Sequence, residues 1–196
     1  MSQTTERAHS GAKPGARDSA AAPLLEIRKL KVDFATPGGT VHAVKGIDLD
    51  IGAAETVAIV GESGSGKSVT ALSILQLLPY PVARHPSGSI RYRGQELVGA
   101  PAAALQKVRG NRIAMVFQEP MTSLNPLHTI EKQVNEVLFI HKGLTRDAAR
   151  ARTLELLRLV GLPKAESRLG AYPHELSGGQ RQRVMIAMAL ANEPEL

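Results

Sequence analysis

The 196-residue sequence contains no cysteine, which excludes disulfides and thiolate metal sites. It has no long hydrophobic run. The longest uninterrupted apolar stretch is Val184 to Ala191, far short of the ~18 to 20 residues that cross a bilayer. The N-terminus lacks the apolar core of a signal peptide. The six histidines, His9, His42, His85, His128, His141 and His174, have no ligand spacing, so a histidine metal site is not expected. There is no internal repeat and no heptad pattern. These absences leave a chain expected to stay in the cytosol, with enough length for one domain and its core. The net charge of +6 suits an anionic partner of some kind: nucleic acid, an acidic membrane surface or a phosphate ligand.

Residues 1–22 are rich in Ala, Ser, Thr, Gly, Lys and Arg and nearly free of large apolar side chains, which predicts a disordered tail. Order is expected from Leu24. Leu30, Val32 and Phe34 alternate with polar residues, as in a half-buried strand, and Pro37-Gly38-Gly39 marks a turn. Val41 and Ala43, then Ile47, Leu49 and Ile51, predict further strands of an antiparallel sheet. The stretch Glu55 to Val60, ending in the apolar run Val57-Ala58-Ile59-Val60, predicts a strand buried on both faces, as in a helix-covered parallel sheet. A helix is expected from Ser68 to Leu78, ended by Pro79 and Pro81. A short strand at Gly88–Tyr92 and a second buried strand at Arg112–Phe117 follow. Helices are expected from about Ile130 to His141, after a Thr145 cap, and from a Ser177 cap to about Ala191. Leu154, Leu157 and Val160 should face inward, with Gly161 and Pro163 closing that helix. The order predicts an α/β core with an inserted helical subdomain.

Two glycine-rich sequences lie more than a hundred residues apart. Gly61-Glu62-Ser63-Gly64-Ser65-Gly66-Lys67-Ser68 fits the G-x-x-x-x-G-K-[ST] phosphate loop. A polyphosphate needs many donors at close range. Gly61, Gly64 and Gly66 let successive N–H groups point inward, and the following helix offers its N-terminus. Lys67 can reach the β- and γ-phosphates, and the Ser68 hydroxyl can ligate Mg²⁺. The pattern therefore predicts ATP with Mg²⁺. The second sequence, Leu176-Ser177-Gly178-Gly179-Gln180, opens a helix on a good cap but places two glycines in its first turn. Each costs about 1 kcal/mol against alanine in a helix interior, which points to backbone access for a ligand.

The glycine loop, Gln118 and Leu176–Gln180, in that order, resemble the ATP-binding subunit of an ABC transporter, from about Leu24 to the last residue. Val116-Phe117-Gln118-Glu119-Pro120-Met121-Thr122-Ser123-Leu124-Asn125-Pro126 and Tyr172-Pro173-His174-Glu175 look like the dipeptide, oligopeptide and nickel importer branch. The resemblance implies a P-loop ATPase core over residues 23–196. It carries an N-terminal antiparallel β subdomain and a helical subdomain at about 120–180. It also implies adenine stacking on Phe34, and contact of Gln118 with Mg²⁺, the attacking water and the membrane subunits. Leu176, Ser177, Gly178, Gly179 and Gln180 would form the signature, touching the γ-phosphate of ATP bound to a second ATP-binding subunit. Permease subunits, and indirectly a solute-binding protein, are the implied partners, with a peripheral place on the cytoplasmic face of the inner membrane.

In that family a strand ending in Asp-Glu and a later histidine complete the site. The sequence has none of these, and Glu193-Pro194-Glu195-Leu196 looks like the approach to the strand. The expectation is an N-terminal fragment of a longer ATPase that does not hydrolyse ATP as written. A regulatory module that holds nucleotide without turnover is the alternative. DNA maintenance is disfavoured, because such ATPases carry coiled-coil insertions or zinc cysteines, so no nucleic-acid partner is expected.

Overall fold

A computed structural model describes residues 22–118 and 123–196. The expected tail lies outside them except for Ala22, as do Glu119, Pro120, Met121 and Thr122 of the importer-like sequence. β1 (Leu25–Thr36) and β2 (Gly39–Ile51) form a long antiparallel hairpin. The residues read as several strands after the turn are this single β2. β3 (Ala83–Arg84) and β4 (Ser89–Tyr92) pair with β1, and β5 (Gln95–Glu96) pairs with β4.

The side-chain phase of β1 changes partway along. Leu25 and Ile27 are buried at odd positions, then Leu30 and Val32 at even ones. The register shift lies between Ile27 and Leu30, where Lys29 takes φ 47°. A bulge of this kind moves later side chains to the other face of the strand, so one core receives both sets. That core also receives Leu75 and Leu78, which follow α1 (Lys67–Ile74), and Leu105 and Val108 of α2 (Ala102–Val108). The α1 helix is shorter than expected. Leu75 caps it, and Gln76 turns to φ 50° before the prolines are reached.

A second cluster is helical. α3 (Ile130–Lys142), α4 (Arg146–Leu159), α5 (Ala165–Arg168) and α6 (Gly178–Leu190) surround Val134, Leu138, Leu156, Leu157, Val184 and Ala187. Thr129, Thr145 and Ser177 cap the three long helices by accepting from Lys132, Ala148 and Gln180 backbone N–H groups. Leu157 is buried, Leu154 and Val160 pack partly buried against it, and Gly161 turns the chain at φ 68°. Inside this cluster the Thr153 hydroxyl donates to Asn135 Oδ1 at 2.6 Å, with both residues buried. Thr153→Val removes the donor and strands the amide oxygen, so urea unfolding is expected to show a loss of about 2 kcal/mol.

Two sequence expectations need correction. Residues 57–60 form no strand, and Ile59 and Val60 are 46% and 88% exposed. A strand buried on both faces needs hydrogen-bonded neighbours on its edges and covering layers on its faces. Among the described residues nothing pairs with this run. Arg112–Phe117 likewise is not a strand over its length. Ile113 is buried and bridges Arg109, whereas Val116 and Phe117 are exposed. This segment also pairs with the chain's last residues. Leu196 N–H donates to Arg112 O and Ala114 N–H donates to Leu196 O, which is the parallel pattern.

Glu195 holds that pairing in place. Its carboxylate accepts from the Tyr92 hydroxyl at 2.7 Å, from Arg93 Nε at 2.6 Å and from Arg112 at 3.0 Å. The hydrogen bonds from Tyr92 and then Arg93 hold its pKa below the ordinary glutamate value. The folded state thus binds this proton less readily than the unfolded chain. Its contribution is complete above the unfolded glutamate pKa and is lost as pH falls through the lowered folded value. Stability measured by urea unfolding is expected to fall with acidification in that window, and Glu195→Gln to flatten the slope there.

Candidate nucleotide site

The loop between residues 61 and 66 runs into α1 and borders a cavity of about 530 Å³. Gly61, Gly64, Ser65, Gly66 and Lys67 line it, with His42, Ala43 and Lys45 of β2 opposite. The glycines are used for shape. Gly66 takes φ 89°, and a Cβ there would stand 2.6 Å from Ala43 O. A Cβ on Gly61 would stand 2.9 Å from Ser65 Oγ. Gly64 is also left-handed, at φ 78°, but faces open space. The sequence thus yields a loop that lies close against the hairpin while keeping its backbone uncovered.

Lys67 is folded back over the loop. Its Nζ donates to Gly61 O at 2.9 Å, Glu62 O at 2.7 Å and Ser65 Oγ at 3.4 Å. These acceptors hold the ammonium beside the cavity. Thr70 fixes the other end of the loop, with its N–H and hydroxyl both donating to Gly66 O, at 2.8 and 3.0 Å. That Thr70 N–H makes the first helical hydrogen bond of α1, and Gly66 offers no side-chain cap. The amides before it are left for an incoming acceptor, unlike those of the three capped helices. Lys45 and Lys67 line the cavity, and among the described residues no Asp or Glu does. Uncapped amides, two ammonium groups and close-set glycines fit a polyphosphate.

The other predicted site residues lie elsewhere. Glu62 and Ser63 are exposed on the loop, and Ser68 is exposed in the first turn of α1 with its hydroxyl next to Lys67 in sequence. Phe34 is half-buried on β1, packs against the sheet core and does not line the cavity. Gln118 is exposed and does not line it either, so the structure does not bring the expected Mg²⁺ pair, Ser68 and Gln118, to one cavity wall. Among the described residues no group of three or more His, Asp or Glu could hold a metal ion.

The signature residues form a separate surface. Leu176 is buried, Ser177, Gly178 and Gly179 are exposed, and Gln180 is half-buried. The Gln180 side chain accepts from Ser177 N–H at 3.0 Å while the Ser177 hydroxyl accepts from Gln180 N–H at 3.4 Å. This reciprocal cap fixes the first turn of α6. A Cβ on Gly178 or Gly179 would meet nothing within 4 Å. Their small size is not needed for packing among the described residues.

Sequence reasoning missed the cavity's far wall. His42 Nδ1 lies 2.8 Å from Asp33 Oδ1, and the imidazole borders the cavity beside Lys45. Nothing in the β2 alternation distinguishes these residues from ordinary strand surface. Thr70, one turn into α1, had a readable position but no spacing rule to single it out.

A sequence model described as "ABC transporter" matches residues 44–196. The peptidoglycan transport ATP-binding protein YejF of Agrobacterium fabrum is 62% identical over 174 residues, covering 89% of this chain and 32% of its own length. The oligopeptide transport ATP-binding protein OppD of Bacillus subtilis is 50% identical over 173 residues, covering 88% and 48% respectively. The chain thus spans a third to a half of these relatives. The dimeric structure of the bacterial ABC transporter cassette MJ0796 superposes with a TM-score of 0.76 at 31% identity, over 87% of this chain and 70% of that one. The same cassette is known in a dimeric post-hydrolysis state bound to ADP and Pi, with the same TM-score and coverage. No helix among the described residues is long and apolar enough to cross a membrane. With a glycine loop on the hairpin, a capped Ser-Gly-Gly helix start and a family match from residue 44 to residue 196, this chain belongs to the ABC transporter family.

Proposed function

We propose that this chain is the ATP-binding part of an importer subunit for peptides or related solutes. The observation that carries the reading is the phosphate-loop cavity, with Lys67 held at its edge by three loop acceptors. The names of the relatives, peptidoglycan and oligopeptide transport proteins, support the solute class.

In this reading the amides at the start of α1 and the Lys67 ammonium bind the β- and γ-phosphates of ATP. Lys67 exchanges its carbonyl acceptors for phosphate oxygens. The Ser68 hydroxyl and the Gln118 amide are the proposed holders of Mg²⁺, which supplies charge neutralisation at the phosphates. Gln118, exposed directly after Phe117, is the residue proposed to relay nucleotide state to permease subunits. Phe34 stacks on adenine from the end of β1. Ser177, Gly178 and Gly179 meet the γ-phosphate held by a second ATP-binding subunit, in a head-to-tail pair. The uncovered glycine face of α6 favours this role, because it leaves backbone free for a partner's ligand. The subunit works at the cytoplasmic face of the inner membrane, bound to the permease. No carboxylate among the described residues lines the cavity to position water, so the 196-residue chain by itself should bind ATP without steady turnover.

The test is ATP binding by the 196-residue chain, followed with a fluorescent analogue and by sedimentation. Saturable binding that is strengthened by Mg²⁺, and weakened by Ser68→Ala, supports the reading. A Gly178→Asp variant should keep that binding and lose any ATP-dependent pairing. No saturable binding at millimolar nucleotide, or turnover that Lys67→Ala leaves intact, would overturn it.

A further inference from the structure

A second cavity, about 650 Å³, lies between the end of α1, β3 and α2. It is separate from the phosphate loop, and no residue borders both. Its size falls in the range of small-molecule sites, which are mostly apolar with a few placed polar groups. Tyr80, Pro81, Ala83, Val98 and Leu105 supply the apolar wall.

Gln76, Arg84, His85 and Arg109 interrupt that wall, and the last three differ in how they are held. Arg109 is fixed: its Nε donates to Leu75 O and its Nη2 to Gln76 O, both at 2.7 Å. These carbonyls orient the guanidinium without cancelling its charge. Arg84 is exposed at the cavity edge and has no ion pair among the described residues. His85 leans on Tyr80, with ring centroids 5.8 Å apart and Nδ1 3.4 Å from the Tyr80 hydroxyl. Its Nε2 is shut away from solvent with no hydrogen-bond partner. Burial lowers the His85 pKa, which disfavours the charged ring at this wall. Among the described residues the cavity therefore has two guanidinium groups, one imidazole nitrogen without a partner, and no Asp or Glu.

We infer that this cavity binds a small amphipathic anion, an apolar body carrying one carboxylate. The guanidinium groups select the charge, since a planar fork pairs with a carboxylate through two hydrogen bonds. The apolar wall selects the body. A polyphosphate is disfavoured, because among the described residues one glycine, Gly99, lines this cavity, against Gly61, Gly64 and Gly66 at the phosphate loop.

The experiment is a titration of the 196-residue chain with octanoate, followed by heteronuclear NMR, with octanamide as the neutral control. Saturating shifts are expected at Tyr80, Arg84 and Ala100. Arg84→Glu should weaken octanoate by about tenfold, the equivalent of one screened charge pair, and octanamide should bind weaker than octanoate by a similar factor. Ala102→Trp, which places a ring at the cavity mouth, should block both. If that variant misfolds, Arg84→Glu carries the test, because its side chain is exposed and leaves the sheet core intact. Shifts that never saturate, shifts scattered over the molecule, octanamide binding as tightly as octanoate, or affinity unchanged by Arg84→Glu would each overturn the inference. None of these readouts depends on nucleotide binding, so failure here leaves the ATP reading untouched.

Discussion

Lys67→Ala is expected to lower ATP affinity by about 100-fold. The estimate follows from charge-assisted hydrogen bonds worth about 1.5–3 kcal/mol each, with contacts to two phosphate groups lost together. A competing effect reduces the net change. Lys67 already donates to Gly61 O, Glu62 O and Ser65 Oγ, and those bonds are given up when phosphate arrives. The phosphate contacts still win, because they pair opposite charges where the carbonyls offer only dipoles. The loss should be specific to the polyphosphate. Calorimetry with tripolyphosphate should show the same fold-loss as ATP, and adenosine should be unaffected. Equal losses for adenosine and ATP would mean that the substitution collapses the loop. An unchanged ATP affinity would mean that the loop is not the site. Lys45→Ala, on the opposite wall, should cost several-fold less, since it adds charge to the cavity but does not sit in the loop.

Much of this architecture is legible in the sequence because the signals are local. Thr129, Thr145 and Ser177 cap helices by chemistry confined to one turn, and Gly143 and Gly161 close α3 and α4 in the left-handed region. The glycine loop is similarly local, since Lys67 folds back onto Gly61, Glu62 and Ser65 within seven residues. The phase change in β1 is present in the sequence as Leu25 and Ile27 followed by Leu30 and Val32, but alternation alone does not identify Lys29 as the bulge. The failures concern residues whose structure depends on distant neighbours. Val57–Val60 and Arg112–Phe117 have the composition of buried strands, yet strand formation requires a paired edge. Beyond the isolated Arg109–Ile113 bridge, the described residues provide that edge where Leu196 meets Arg112 and Ala114. The roles of Phe34 and Gln118 rest on resemblance alone and stand as proposals, since neither lines the cavity. His42 and Lys45 line it without any motif, because their relation to the loop arises from the hairpin folding over it.

Gly88→Ala is expected to be the most damaging single substitution outside the site, with a loss of more than about 4 kcal/mol or failure to fold. Gly88 takes φ 106°, where a side chain is strained whatever the space. The space is also filled. A Cβ would stand 2.5 Å from Leu30 Cα, 2.7 Å from Lys29 O and 2.8 Å from Leu30 N. All three are backbone atoms at the bulge of β1, so no rotamer change relieves the clash. The chain on either side is tied down, since Ser87 O accepts from Lys31 N–H at 3.0 Å and Ser89 pairs with Arg28. Relief requires pulling β4 from β1, which uncovers Ile27, Leu30 and Ile90, all fully buried. Each such side chain contributes about 1.5–3 kcal/mol by burial, so partial separation already exceeds the strain of the turn itself. Gly94→Ala separates the two effects. Gly94 is also left-handed, at φ 77°, but a Cβ there meets nothing within 4 Å, so its cost should be that of backbone strain alone, about 1 kcal/mol. Urea unfolding of both variants measures the difference. If Gly88→Ala is no worse than Gly94→Ala, the close approach of β4 to the β1 bulge does not govern the stability of this sheet. If it is worse by several kcal/mol, the bulge at Lys29 and the glycine opposite it form one unit, and the hairpin that walls the nucleotide cavity depends on both.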